Sequence, residues 1–306
     1  MRQQNLHNTM AKRVTVKVPV RIDLAGGWTD VPAYCRLHVG EVVNVAINRY
    51  VTATCEVDHE RKIEVTYRTE TPTGCGLGTS GAMNVAFVAA ISPEDLPPES
   101  IAEKAYQIEA VLGNVGGRQD QWASAFGGIQ HLKFEQNKVI RTSLNPSMAL
   151  RTWLETNLML FDTGIPHVSG DLHEAVWKDF EQSNPQTQEG LKQLQRAANL
   201  MHQGVLMEDR LQITDAFGMV MTGVDALNPA LHDPFRDVLQ PLEHSGQVLA
   251  WKAMGAGGGG VVGALQRGDQ GDREAIIEAA KEAGWVHLKW AIENDGIRRE
   301  KTLSHE

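Results

Sequence analysis

The stretch "TPTGCGLGTSGAMNVAFVAAI", residues 71–91, places four glycines between positions 74 and 81 and then turns into small and apolar residues. A glycine loop that runs into a helix offers bare backbone amides and a helix N-terminus, which makes phosphate the first ligand to consider. Residues 76–81, "GLGTSG", satisfy G-x-G-x-x-G, but a dinucleotide fold needs a strand directly before the loop and a second strand after the helix. The strand-like "IEVTY" ends at Tyr67, Arg68 to Thr73 intervene, and the segment after the helix, 99–113, is helical in pattern. A lysine-bearing phosphate loop fails as well, because no lysine follows the glycines.

What remains is a loop whose amides wrap phosphate directly, with Gly74, Gly76 and Gly78 free to take positive φ. The helix end supplies only about 0.3–2 kcal/mol per charge, too little to neutralise a triphosphate, so a metal and further cations are required. Ser80 offers a hydroxyl to Mg²⁺ and Glu109 a carboxylate, since that ion prefers oxygen ligands and keeps waters. Glu109 also reads as a solvated helix residue.

Two further glycine-marked sites carry chemistry. "RIDLAGGWTD" (21–30) sets Arg21 before a strand and Trp28 and Asp30 on the Gly-Gly turn after it. A carboxylate for hydroxyls and an indole for an apolar ring face suit a polyol. The alternative is an Asp that satisfies its own turn amides. "GGRQDQWASAFGG" (116–128) puts Asp120 at the start of a short helix, as a cap or as a base. In "KAMGAGGGGVVGAL" (252–265), five of the six residues 255–260 are glycine, which lets one backbone approach another, or a ligand, closely.

The chain around these sites reads as α+β. The first 70 or so of its 306 residues alternate as a β-meander; helices follow at 81–91, 99–113 and within 116–128, then a strand "IQHLKFE". Ser100 and Glu103 have capping-box spacing, and Gly113 closes that helix. The second half reads as a strand at 158–164, helices near 168–182, 187–203 and 206–225, then strands at 248–253 and 260–266, a helix at 273–283 and a strand at 285–292. A lobe boundary is expected near 150, giving domains 12–150 and 151–306. The net charge of −9 argues against a nucleic-acid binder that tracks phosphates, and no apolar run spans a bilayer. Cys35, Cys55 and Cys75 have no metal-binding spacing and read as reduced, packed thiols. The polar N-terminus has no apolar signal core, and a cytoplasmic location is expected.

Together "PVRIDLAGGWTD", "PTGCGLGTSGA" and "KAMGAGGGG" resemble, in order, the three signature motifs of the GHMP kinase superfamily, across residues 14–297. "RIDLAGGWTD", "VVNVAINRY" and "GGRQDQWASAFGG" look most like its sugar 1-kinases, the fucokinase and glycero-manno-heptose 7-phosphate kinase branch. Trp28 is closer to fucokinases, since heptose-phosphate kinases more often carry glycine there.

The resemblance implies a two-lobed fold, with an N-terminal lobe like ribosomal protein S5 domain 2 and a ferredoxin-like C-terminal lobe. It implies transfer of phosphate from ATP, with Mg²⁺, to the anomeric hydroxyl of a reducing sugar or sugar phosphate. By position, Asp120 matches the catalytic Asp and Arg21 the basic residue beside the acceptor hydroxyl. Gly74, Gly76, Leu77, Gly78, Thr79, Ser80 and Gly81 match the phosphate loop, with Ser80 and Glu109 as metal ligands. Asp30, Trp28, Gly27, Gly117, Thr163 and Gly257 are the candidates for the sugar side. No nucleic-acid or membrane partner is implied, and a homodimer is the candidate assembly. A non-sugar alcohol as acceptor and a non-catalytic sensor on the same scaffold are the competing readings. Two departures stand out. "TSGA" replaces the usual Ser-Ser-Ala, so Gly81 weakens the helix start by up to ~1 kcal/mol. "DTGIPHVSGD" lacks the usual arginine of its segment, leaving His167 as the candidate replacement.

Overall fold

A computed structural model describes residues 11–57, 62–113, 116–166 and 170–304. In chain order the elements are β1 (Ala11–Ala25), α1 (Pro32–Cys35), β2 (Gly40–Val57), β3 (Ile63–Thr69), α2 (Thr79–Ile91), α3 (Pro98–Val111), α4 (Gln119–Phe126), β4 (Ile129–Glu135) and β5 (Lys138–Leu144). There follow α5 (Met148–Asn157), β6 (Leu158–Asp162), α6 (Gly170–Glu181), α7 (Pro185–Met207), α8 (Arg210–Leu227), a 3₁₀ turn (Pro229–Leu231) and α9 (Asp233–His244). The chain ends with β7 (Val248–Ala253), β8 (Val261–Gln266), α10 (Gln270–Glu282), β9 (Val286–Leu288) and β10 (Arg298–Ser304).

Strong β-branched alternation makes β1 and β2 the spine of the first sheet. Val14, Val16, Val18, Val20 and Ile22 are all buried, as a strand with one face on a core requires. The register slips between Pro19 and Val20, where proline has no N–H to give the ladder. The sheet runs β10-β1-β2-β4-β5, with β3 on the far half of β2. Beyond the slip, β2 pairs through 51–57 with β3 and through 40–45 with β4. The second sheet, β7-β8-β6-β9, is antiparallel throughout.

The last strand, β10, pairs with β1 and returns the chain terminus to the first sheet. The segment before it lies against the end of α4: Gly128 N donates to Glu293 O at 2.7 Å, and Glu293 N to Ala46 O at 2.9 Å. A Cβ on Gly296 would sit 2.0 Å from Ala125 O, so the approach admits only glycine. Residues 293–296, far along the chain, therefore brace the end of the helix that carries Asp120.

Several expectations from the sequence are corrected. The capping box at Ser100 and Glu103 does not form: α3 starts with Pro97 as its N-cap and no side-chain cap. Glu103 is taken up instead by Trp122 Nε1, which donates to it at 2.8 Å, and by Arg118 at 3.6 Å. The expected strand at 285–292 shrinks to Val286–Leu288. The elements β5, α5, α9 and β10 were not expected at all. Cys35, Cys55 and Cys75 are all buried, and burial pushes the Cys35 thiol up to about 12, which suits packing and not reactivity. Among the described residues, no helix is long and apolar enough to cross a membrane.

Candidate active site

Three glycine segments converge at one end of the first sheet. Gly74, Gly76 and Gly78 have φ of 76°, 87° and 73°, the left-handed region that glycine enters without strain. Gly78 is the N-cap of α2, and no side chain caps that helix, so its first amides stay available to an anion. The 255–260 run packs backbone to backbone on this loop: a Cβ on Gly255 would meet Gly76 Cα at 2.6 Å, and Val261 N donates to Cys75 O at 2.7 Å. The close approach foreseen for that run is thus to the first glycine loop.

Arg21 and Asp120 meet beside the loop. Arg21 Nε donates to Asp120 Oδ1 at 2.7 Å, and Nη2 lies 2.7 Å from the same oxygen. Its Nη1 donates to Gly76 O and, at 3.0 Å, to Met254 O. Burial works against the Arg21 charge, but Asp120, Asp23 and Asp30 outweigh it and hold its pKa above the ordinary arginine value. Asp120 is not the helix cap. Arg118 occupies that position and Asp120 sits in the first turn, where an N-terminal helix end favours a carboxylate. Its Oδ2 lies 3.1 Å from where a Cβ on Gly78 would be, at the tip of the glycine loop.

Gly81 acquires a reason here. A Cβ on it would stand 2.6 Å from Asp120 Cβ, so the missing methyl that weakens the helix start is what admits Asp120 so close.

Ser80 and Glu109 are also brought together. Ser80 Oγ donates to Glu109 Oε1 at 2.8 Å, and Gln121 Nε2 donates to the other carboxylate oxygen. Burial raises the Glu109 pKa and the nearby Asp120 adds to it, against the Ser80 hydrogen bond. A half-buried carboxylate destabilised in this way, with a hydroxyl and a second acid beside it, fits a divalent cation with oxygen ligands. Among the described residues no three His, Cys, Asp or Glu side chains form a cage of their own.

The residues expected on the sugar side face the same cavity, lined among others by Gly27, Trp28, Asp30, Gly117 and Asp120. Asp30 is buried, and its Oδ2 accepts from Gln119 N at 3.1 Å, so it reaches across to α4 rather than serving only its own turn. Burial, then Asp120 and Asp23, push its carboxyl up to about 7, against the Gln119 hydrogen bond. Gly117 is tight against it, since a Cβ there would fall 1.9 Å from Asp30 Oδ2. Trp28 has φ 80°, a strained conformation for a bulky side chain and one that tends to persist at functional sites. Its ring packs 4.5 Å from His173 and 5.8 Å from Trp177 of α6.

Gly74, Gly76, Gly78, Thr79 and Ser80 line this cavity. Leu77 is fully buried behind the loop, where its carbonyl accepts from Arg21 N at 3.0 Å. Thr163 and Gly257 are not among the lining residues. Thr163 Oγ1 donates to Gly260 O at 2.8 Å, and Gly257 abuts Leu231, so both support the glycine run, while Gly255 and Ala256 face the cavity. His167 lies outside the described residues. Sequence reasoning passed over Asp23, Gln119, His173 and Trp177, all on the cavity wall, and Lys252, which binds Asp23 across the lobes at 3.3 Å.

Comparison with known proteins bears on the same region. Residues 41–128 match the GHMP kinases N terminal domain. That matched segment holds both the glycine loop at 74–81 and Asp120. The chain is 25% identical to the D-glycero-alpha-D-manno-heptose 7-phosphate kinase of Campylobacter jejuni, over 94% of this chain and 98% of that protein. It is 24% identical to the bifunctional fucokinase/GDP-fucose pyrophosphorylase of Arabidopsis thaliana, over 81% of this chain but only 29% of that longer protein. The structure superposes on a D-glycero-D-manno-heptose 1-phosphate kinase from Bacteroides thetaiotaomicron with a TM-score of 0.75 at 21% identity, covering 95% of this chain and 100% of that one. The two sheets with their helices are thus the two lobes of the GHMP kinase fold.

Proposed function

We propose that this GHMP kinase domain transfers the γ-phosphoryl group of ATP to the anomeric hydroxyl of a reducing sugar of the fucose or heptose type. One observation carries the reading: the Asp120 carboxylate stands beside Gly78 of the phosphate loop, in the same cavity as Asp30 and Trp28. Phosphoryl transfer needs little covalent work from the protein and depends on placing acceptor and donor in line while spreading charge.

The residues divide that work. Amides of residues 74–81 and the N-terminus of α2 hold the donor phosphates. Arg21 binds one Asp120 oxygen through two nitrogens, which leaves Oδ2 on the cavity side to take the proton of the acceptor hydroxyl. As the sugar oxygen bonds to the γ-phosphorus, the bond from that phosphorus to the β–γ bridging oxygen breaks and its electron pair leaves with ADP. Ser80 and Glu109 would hold Mg²⁺, which when bound offsets the charge of the phosphate oxygens. Asp30 binds sugar hydroxyls, and Trp28 covers an apolar face of the ring.

The test is incubation with Mg-ATP and a panel of reducing sugars: fucose, galactose, mannose and a heptose 7-phosphate. The proposal expects ADP release that depends on one of them and a product phosphate labile to mild acid. An acid-stable phosphate, or turnover only with a non-sugar alcohol, contradicts it.

A further inference from the structure

Asp23 is 4% exposed, lines the acceptor cavity, and has one carboxylate oxygen, Oδ1, with no hydrogen-bond partner. A buried acceptor left unpaired is costly, and such atoms in a binding site mark where a ligand's donor belongs. Its other oxygen is held. Lys252 Nζ, 2% exposed and reaching in from β7 of the second lobe, lies 3.3 Å from Asp23 Oδ2 and donates to Asp23 O at 2.6 Å. Gly27 leaves room around that oxygen, where a Cβ would come within 2.3 Å. Two more wall residues carry orphaned polar atoms, Trp28 Nε1 and Gln119 Oε1. Together they offer two acceptors and one donor on residues of a single cavity, a pattern that matches adjacent hydroxyl groups of a polyol better than an apolar alcohol.

We infer that Asp23 is a specificity residue of the acceptor site, its Oδ1 taking a hydrogen bond from a sugar hydroxyl other than the one phosphorylated, while Lys252 fixes the carboxylate. This rests on the proposed sugar kinase reading. It places the second lobe's Lys252 in contact with substrate recognition through Asp23, a contact between residues 229 positions apart.

The test pairs substrate and side chain. With a sugar that the wild type phosphorylates, each monodeoxy analogue is assayed against wild type, Asp23→Asn, and the double variant Asp23→Asn with Lys252→Met. The double variant avoids leaving an ammonium buried without its counter-ion, which could unfold the single one. For one hydroxyl, its removal is expected to lower wild-type kcat/KM by roughly 10- to 100-fold, the scale of a hydrogen bond to a charged group. In the variants the same removal should cost less than about threefold, because the charged acceptor has been replaced by a neutral amide and the bond is no longer charge-assisted. Mg-ATP affinity by titration should stay unchanged. Equal losses in wild type and variants for every analogue would overturn the inference and leave Asp23 a structural counter-ion, with the kinase reading intact. Absence of phosphorylation with any sugar would remove both.

Discussion

Gly81→Ala sets two physical effects against each other. By helix propensity alone the change should stabilise the start of α2 by up to ~1 kcal/mol. The new methyl, however, would stand 2.6 Å from Asp120 Cβ. Carbon atoms pack at about 3.5–4.0 Å, so Asp120 or the first turn of α2 must give way by roughly 1 Å. Neither moves freely, because Asp120 is tied to Arg21 and α4 is pressed against residues 295–296 at its other end. Overpacking of this kind costs about 1–3 kcal/mol, which matches or exceeds the propensity gain, so the variant should melt no higher than wild type. A displacement of that size at a reacting group can lower turnover by about 100-fold. Steady-state ADP release, with the KM for ATP followed separately, reads the effect: kcat should collapse while ATP binding stays within a few-fold. A variant that is more stable than wild type and turns over at the wild-type rate would refute the argument that Gly81 exists to admit Asp120.

Asp30 gives a prediction in pH. Its folded-state carboxyl sits at about 7 against an unfolded 3.8, so the folded protein keeps a proton that the unfolded chain has lost. Stability is therefore expected to fall as pH rises from about 4 to 7 and to level off above, by an amount of order 4 kcal/mol at most. Asp30→Asn should flatten that fall in denaturant melts while lowering kcat/KM for the sugar; an unchanged pH slope would contradict the assignment. Ser80→Ala should shift the Mg²⁺ titration of turnover to higher concentration by several-fold, and an unchanged titration would remove Ser80 from the metal site.

The glycine segments were legible because their conformation is local. Gly74, Gly76 and Gly78 take positive φ, and their density alone announced a loop in that backbone conformation. Asp120 was legible as a helix-start acid, but the sequence did not show that Arg118 takes the cap position and leaves Asp120 beside Gly78. Other parts were hidden for physical reasons. Asp23 and Lys252 lie 229 residues apart, and no periodicity reports such a contact. Trp177 reads as one apolar residue of an amphipathic helix until α6 is laid beside Trp28. The strand β10, "RREKTLS", is too charged to read as a strand and is tolerated at the sheet edge against β1. Prolines at 234 and 241 disguise α9, although the first occupies the opening turn, where its missing N–H costs nothing. Ser100 and Glu103 had the spacing of a capping box, but Trp122 and Arg118 compete for the glutamate, and tertiary contacts prevailed over the local motif.

The central claim is that Asp120 receives the acceptor proton at the tip of the phosphate loop. Its most direct test is Asp120→Asn, which keeps the shape of the side chain and removes its basicity, assayed for sugar-dependent ADP formation alongside titration of Mg-ATP binding. The account predicts that turnover falls by at least 100-fold, the lower range of general-base effects, with nucleotide affinity nearly unchanged. Wild-type-like turnover in that variant would contradict it.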